Sequence, residues 1–332
     1  MADPTLIFVI FIIIIALVFD FINGFHDAAN SISCVVSTRV LSPQYAVYWA
    51  AFFNFVAAFS IGAPVAHTIG TGIVSPGVID NILILAALFG AITWNLLTWW
   101  FGLPSSSSHA LIGGLIGAGL VKGGVGVLVW KGIIKTASFI VLSPAIGFCL
   151  GFIFMVIILN LTRNISATKA DNAFRRMQLF SAAIHSFGHG MNDAQKTMGV
   201  IAIVMFSSGY MAAFHIPFWI VLLCNTTIAL GTMAGGWRIV KTMGTKITKL
   251  RPMGGFCAET AAASSLIGAS IFGIPVSTTH TITGAIMGVG STHRVTAVRW
   301  GIAGTIIWAW VLTIPVSALI AAAFYLVFRT FI

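Results

Sequence analysis

Two short patterns hold most of the side chains that could do chemistry, and each is written twice. The first is a proline followed by small hydroxyl residues and a histidine. It reads Pro104-Ser105-Ser106-Ser107-Ser108-His109 and, 171 positions later, Pro275-Val276-Ser277-Thr278-Thr279-His280. Consecutive small hydroxyls after a proline make a poor helix interior, because they compete for backbone hydrogen bonds. They suit the tip where a helix begins, where hydroxyls and free N–H groups can surround an oxyanion with help from the helix dipole. Ser106, Ser107, Ser108, Ser277, Thr278 and Thr279 are therefore candidate anion donors. For any single serine, a hydrogen bond to a neighbouring helix would be the ordinary explanation. The duplication favours a site.

The second pattern carries acids. Phe21-Ile22-Asn23-Gly24-Phe25-His26-Asp27-Ala28-Ala29-Asn30 aligns with Phe187-Gly188-His189-Gly190-Met191-Asn192-Asp193-Ala194-Gln195-Lys196 at a shift of 166, with Phe, Gly, Asp and Ala coinciding. The chain has only seven acidic residues. Asp3, Asp80 and Asp171 sit at the edges of apolar runs, where solvation explains them. Asp20, Asp27, Asp193 and Glu259 lie within or against apolar sequence, where an uncompensated carboxylate costs about 2.5–3.5 kcal/mol on insertion scales. For Asp20 and Glu259 a structural hydrogen bond and a functional role weigh equally. Asp27 and Asp193 hold equivalent places in two halves and read as functional. Carboxylates beside a cup of donors narrow the ligand to an anion that donates protons, as hydrogen phosphate does, or one accompanied by a cation. Asp27 and Asn30, at i and i+3, share a helix face.

These motifs need a scaffold, and the composition says which. Of 332 residues, 58% are hydrophobic and 7% charged, with a mean hydropathy of +1.03. Soluble domains carry about 25% charged residues, so the chain is an all-α polytopic membrane protein. Long apolar runs cover about 5–36, 44–63, 79–101, 132–161, 178–206, 212–235 and 298–328. The runs at 109–121, 256–272 and 280–290 are too short to cross a core of about 30 Å and read as half-helices of two re-entrant hairpins. A Gly113/Gly117 pair and a Gly284/Gly288 pair follow the two hydroxyl motifs, marking close helix packing. The order of motifs divides the chain into a first repeat at 1–161, a short basic linker at 162–177 and a second repeat at 178–332. Duplicated halves with broken helices are the signature of a secondary transporter with its site at the repeat interface.

The formal charge of +10 comes mostly from four short stretches around 122–135, 163–176, 238–251 and 294–299. They read as loops touching anionic lipid, with 238–251 the candidate cytoplasmic loop. No aromatic-interleaved basic patch points to nucleic acid. Cys34, Cys149, Cys224 and Cys257 are scattered, with no metal or disulfide pattern. No basic stretch precedes residues 5–19, so the first helix reads as retained rather than as a signal peptide. His109 and His280 match across the repeat and can orient the tips. His185 and His189 are i, i+4, and without a third ligand read as helix packing rather than metal. His67, His215 and His293 read as loop or interface residues. An enzyme acting on phosphate esters would need a nucleophile with its base or a metal cage, and none is evident.

The Gly24–Asn30 and Gly190–Lys196 segments, with both Pro-x-Ser-x-x-His loops, resemble the inorganic phosphate transporter (PiT) family across nearly the whole chain. The resemblance implies cation-coupled uptake of inorganic phosphate by alternating access, an inverted repeat with two re-entrant hairpins, and a homodimer. It also implies coupling cations at Asp27, Asn30, Asn192 and Asp193 and phosphate at the hairpin tips. Sodium-coupled members end both Asp motifs with Asn. Here Lys196 replaces the second, and the first begins His26-Asp27, which resembles the bacterial low-affinity, proton-coupled branch. Lys196 can put a fixed ammonium where sodium would sit and can also face phosphate. A local ion pair with Asp193 is the plainer account, and both can hold. The expectation is a multi-pass symporter of the inner membrane that moves phosphate with protons, through Asp27 or His26. It needs no cofactor or resident metal, with a metal–phosphate complex as a further form of the substrate. The alternatives are a sodium-coupled phosphate symporter or a sulfate permease of the same architecture.

Overall fold

The computed structural model describes residues 4–60 and 62–331, and every long element in it is a helix. In chain order the helices are α1 (Pro4–Ser37), α2 (Pro43–Val56), α3 (Pro64–Thr71), α4 (Asn81–Phe101), α5 (Ser107–Gly123) and α6 (Trp130–Thr162). They continue with α7 (Ala167–Ser207), α8 (Phe218–Ala234), α9 (Trp237–Lys241), α10 (Pro252–Ile271), α11 (Thr278–Ser291) and α12 (Trp300–Phe331). Four of these, α1, α4, α6 and α12, are long and apolar enough to cross a membrane. Two more spans follow if the bent pairs α2–α3 and α8–α9 each count as one, the second bending by 62°. Helix α7 has the length, 41 residues, but its polar motif lowers its apolarity.

Local sequence explains both hairpins. Asp80 caps α4 by accepting from Leu83 N, and Pro252 opens α10 at a position where its missing N–H is harmless. Each first arm then ends on a left-handed glycine, Gly102 (φ 65°) and Gly273 (φ 62°). In both, the next N–H reaches back five residues, Leu103 to Thr98 O and Ile274 to Ala269 O. Any side chain at those glycines would strain the backbone. The second arms α5 and α11 start at Ser106 and Ser277, whose hydroxyls accept from His109 N and His280 N. Turn and caps are thus repeated at a shift of 171 (273 − 102). The long apolar run at 79–101 is the first arm of this hairpin.

The two halves interlock rather than stand apart. The first hairpin, α4–α5, packs on α12, and the second, α10–α11, packs on α6, so each repeat's hairpin lies against the other repeat's last helix. Likewise α1 packs on α8, and α7 on α2 and α3. Close approach demands the GxxxG glycines: a Cβ on Gly117 would lie 2.0 Å from Ala318 O, and one on Gly288 2.1 Å from Phe148 O. The equivalent helices α1 and α7 run antiparallel. Thr38 at the end of α1 bonds Gln178 near the start of α7, and Asp20 on α1 accepts from Thr197 further along α7. Opposed running of matched helices is what an inverted repeat requires.

The polar stretch 162–177 between the repeats is largely helical. Helix resumes at Ala167, so residues 167–177 form the first turns of α7. The basic residues there do not stop a helix, because Arg175 pairs with Asp171 one turn before it at 3.1 Å. Two apolar clusters make up the core. One gathers the first half of α1 with α3, α4, α5, α8 and the last turns of α7. The other gathers the end of α1 with α2, α6, α10, α11 and α12. Between them lies a polar layer from the middles of α1 and α7.

Candidate functional site

The polar layer is where both hairpin tips meet the two acid motifs. On α1, three residues of one face turn inward: Asn23, Asp27 and Asn30, all buried. Ser107 Oγ of the first tip lies 2.6 Å from Asp27 Oδ2 and 2.5 Å from Asn23 Oδ1, and its one proton can go to either. Thr279 of the second tip donates to Asp27 Oδ1 at 3.4 Å. Asn30 donates its amide to Thr278 (3.1 Å) and Thr279 (2.9 Å). Asp27 therefore receives hydroxyls from both repeats.

The matching acid on α7 is held differently. Lys196, one turn after Asp193, is fully buried, and its Nζ lies 2.5 Å from Asp193 Oδ1. The same ammonium donates to Ser108 of the first tip. Thr278 donates to Asp193 Oδ2 at 3.3 Å. So the expected ion pair and the expected contact with the hydroxyl cup coexist. A buried ammonium needs such partners, because an unpaired charge out of water is costly.

Histidines complete the layer. His26 Nδ1 is 2.7 Å from Asp27 Oδ1, and its Nε2 is 3.1 Å from Thr98 and 3.4 Å from Ser105. His189, read from sequence as helix packing, proves to belong to the site. Its Nε2 lies 3.2 Å from Asp193 Oδ2 and its Nδ1 3.2 Å from Asn54 Oδ1. One ligand atom each from Asp27, His189 and Asp193 lies within 4.8 Å of the others. Three buried N/O ligands from two helices are a set whose chemistry suits a cation. Asp27 and Asp193 were expected together from sequence, whereas His189 was paired there with His185 instead. The 166-residue shift that pairs His189 with Asn23 was the available signal. Asn23 was missed as well.

Other expected residues stand elsewhere. Asn192 points away from the acids, donating to Ser270 Oγ on α10 at 3.0 Å. It is one position from Asp193, about 100° round the helix, so it cannot share that face. Ser106 and Ser277 have their oxygens committed to the caps of α5 and α11. Asp20, undecided from sequence, accepts from Thr197 at 2.8 Å. Glu259 accepts from Ser181 (2.6 Å) and Gln178 (3.3 Å) in a network away from the tips. His109 and His280 meet edge to face behind the tips, with centroids 4.9 Å apart, and His280 stacks on Trp310. Trp310 in turn donates to Pro104 O at 2.9 Å, so this cluster braces the first tip.

Two continuous helices that each bring a buried acid to two hydroxyl tips make an arrangement that can hold an ion, and comparison with known proteins gives it a family. Residues 23–321 match the model of the phosphate transporter family. The chain belongs to the phosphate transporter family. It is 59% identical over 326 residues to the "Probable low-affinity inorganic phosphate transporter" of Rhizobium meliloti, covering 97% of this chain and 98% of that one. A protein of the same description from Bacillus subtilis is 46% identical, with 98% of each chain covered. Among solved structures, one described as "The sodium-dependent phosphate transporter" superposes with a TM-score of 0.87 at 26% identity. That match covers 98% of this chain and 100% of the other. The family member described here is a multi-pass membrane transporter with phosphate as its substrate class, and its relatives are named as transporters and permeases, not enzymes.

Proposed function

We propose that this transporter imports inorganic phosphate together with protons, by alternating access, across the cell's inner membrane. The observation that carries the coupling is Lys196, buried between Asp193 and Ser108. In that position its ammonium does for the second repeat what a bound sodium ion would do, leaving only the first repeat's acid to be neutralised from solution.

The charge arithmetic explains why transport would be coupled. Asp27 and Asp193 bring two carboxylates to the layer, against one fixed cation, Lys196. Ser107 lies 2.6 Å from Asp27. A phosphate oxygen that takes over the Ser107 hydroxyl would therefore bring its charge to about 4–5 Å from an ionised Asp27. At an effective dielectric of about 20 each such pair repels by about 3–4 kcal/mol, a loss of several hundred-fold in affinity. Protonation of Asp27, with His26 at 2.7 Å as the relay, removes that repulsion and converts an acceptor into a donor for phosphate. Ser107, Thr278 and Thr279 then turn from the acids to the anion, Ser108 turns to it from Val276 O, and Ser106 and Ser277 hold the helix starts. Lys196 adds a counter-charge. Movement of the hairpins and of α1 and α7 against the outer helices would expose the layer to each side in turn.

Two related readings rest on particular observations. The clustering of Asp27, His189 and Asp193 supports a divalent cation travelling with phosphate as a metal–phosphate complex. The sodium-dependent description of the superposed structure supports sodium coupling instead. Assembly as a homodimer follows the family resemblance. Radiolabelled phosphate uptake into proteoliposomes, with sodium and pH gradients imposed separately, tests the coupling. Accumulation driven by an inward proton gradient without sodium is expected; strict sodium dependence would overturn it.

A further inference from the structure

One end of the helix bundle holds a crevice that the transport site does not use. The end of α6, the start of α7, the start of α10 and the α11–α12 connection enclose a cavity of about 680 Å³. Its rim carries Lys249, Arg251, Arg294 and Arg299, with His293 beside them, against a single acid, Asp171. Asp171 is already paired with Arg175 at 3.1 Å. None of the four rim cations has an ion-pair partner among the described residues. Four unneutralised cations around one opening repel each other, and an anion relieves that. The start of α10, with Arg251, Met253 and Gly254 on the wall, adds unbonded backbone N–H groups to the same opening.

The rest of the wall is apolar, with Met155 and Leu159 of α6 and Leu250 and Met253 at the start of α10. On the same side of α6, one turn before Met155, Phe152 is exposed, on a span long and apolar enough to face lipid. A free inorganic anion would have no use for such a wall. A phosphodiester headgroup with acyl chains fits both parts.

We infer that the Lys249–Arg251–Arg294–Arg299 crevice is a binding site for the headgroup of an anionic phospholipid, its acyl chains lying along α6. The cationic rim takes the phosphate, as basic pockets between membrane helices do. Because Val289 and Gly290 at the end of α11 also line it, the bound lipid ties the base of the second hairpin to α6 and α12. The inference is independent of which ion drives transport.

The test is native mass spectrometry of the full-length protein in detergent, titrated with a phosphatidylglycerol or with a phosphatidylcholine of the same chains. Wild type should retain one more phosphatidylglycerol than the Arg251→Gln/Arg299→Gln variant and show no such difference for phosphatidylcholine. Removing two cations worth about fivefold each should weaken that lipid about 25-fold. Lys131→Gln/Lys135→Gln, which removes equal charge elsewhere, controls for a general electrostatic effect and should retain the lipid. Equal retention by the crevice variant, equal loss in the control, or displacement of the lipid by millimolar inorganic phosphate would each overturn the inference. If the double variant fails to fold, Lys249→Gln and Arg294→Gln taken singly must each lower retention, and unchanged retention in both refutes the site.

Discussion

Replacing Lys196 by asparagine should convert a fixed cation into a demand for a mobile one. Asparagine is what the first repeat carries at the equivalent position, Asn30, 166 residues earlier. In the structure Lys196 Nζ sits 2.5 Å from Asp193 Oδ1, both side chains fully buried. Asp193 would be left with His189 at 3.2 Å and the Thr278 hydroxyl at 3.3 Å. Removing one partner of a buried ion pair costs about 3–5 kcal/mol, because the other charge stays unpaired in a dry site. A cation that binds the vacated place restores part of this, about 2.7 kcal/mol when its concentration is about a hundred times its Kd. The variant in detergent should therefore unfold at a lower temperature than wild type in choline chloride and recover in sodium chloride, while wild type responds little to the exchange. In proteoliposomes the variant's phosphate uptake should acquire a sodium requirement. A variant as stable as wild type in choline, with an unchanged ion requirement, would show that Lys196 holds no cation's place, and the proposed coupling would lose its basis.

Three further outcomes follow from other contacts. Asp27→Asn removes the repulsion between the acid and bound phosphate, so phosphate exchange across the membrane should persist and lose its pH dependence, while accumulation driven by a pH gradient disappears. Wild-type accumulation would remove Asp27 from the coupling. His189→Asn withdraws one of the three clustered ligands and should reduce stimulation of uptake by divalent cations while leaving the response to a pH gradient intact, and equal loss of both would make the residue structural. Gly288→Ala puts a methyl 2.1 Å from Phe148 O and should cost about 1–3 kcal/mol by overpacking. Gly304→Ala, where a Cβ meets nothing within 4 Å, should leave the thermal midpoint unchanged or raise it.

Some of the site was legible before any fold was known, and the reason is duplication. Ser107, Ser108, Thr278, Thr279, Asp27, Asn30, Asp193 and Lys196 each sit in a motif written twice, so matched spacing separated them from the many hydroxyls that only bond their own helix. The hairpin turns were readable from the same repetition, because Gly102 and Gly273 follow identical local rules. His189 and Asn23 were not readable. They are matched to each other at the 166-residue shift but differ in type, and each joins the layer through contacts with residues more than 80 positions away, Ser107 for Asn23 and Asn54 for His189. Asn192, expected at the cation site from the resemblance, donates to Ser270 instead, because one residue's step turns it about 100° from Asp193.

By itself the sequence determined the membrane class, the doubled motifs and the scarcity of charge that makes Asp27, Asp193 and Lys196 conspicuous. Those follow from residue type and spacing, which govern solvation, turn geometry and helix ends locally. Only the tertiary structure decided which half supplies which partner. The hairpins cross to pack on the opposite repeat's last helix, and α1 and α7 run antiparallel, so Asp27 receives hydroxyls from both tips while Lys196 pairs with its own acid and reaches the other repeat's serine. Which helices cross is set by glycine surfaces that fit one another over the whole bundle, and that fit is a property of the assembled shape, not of any window of sequence.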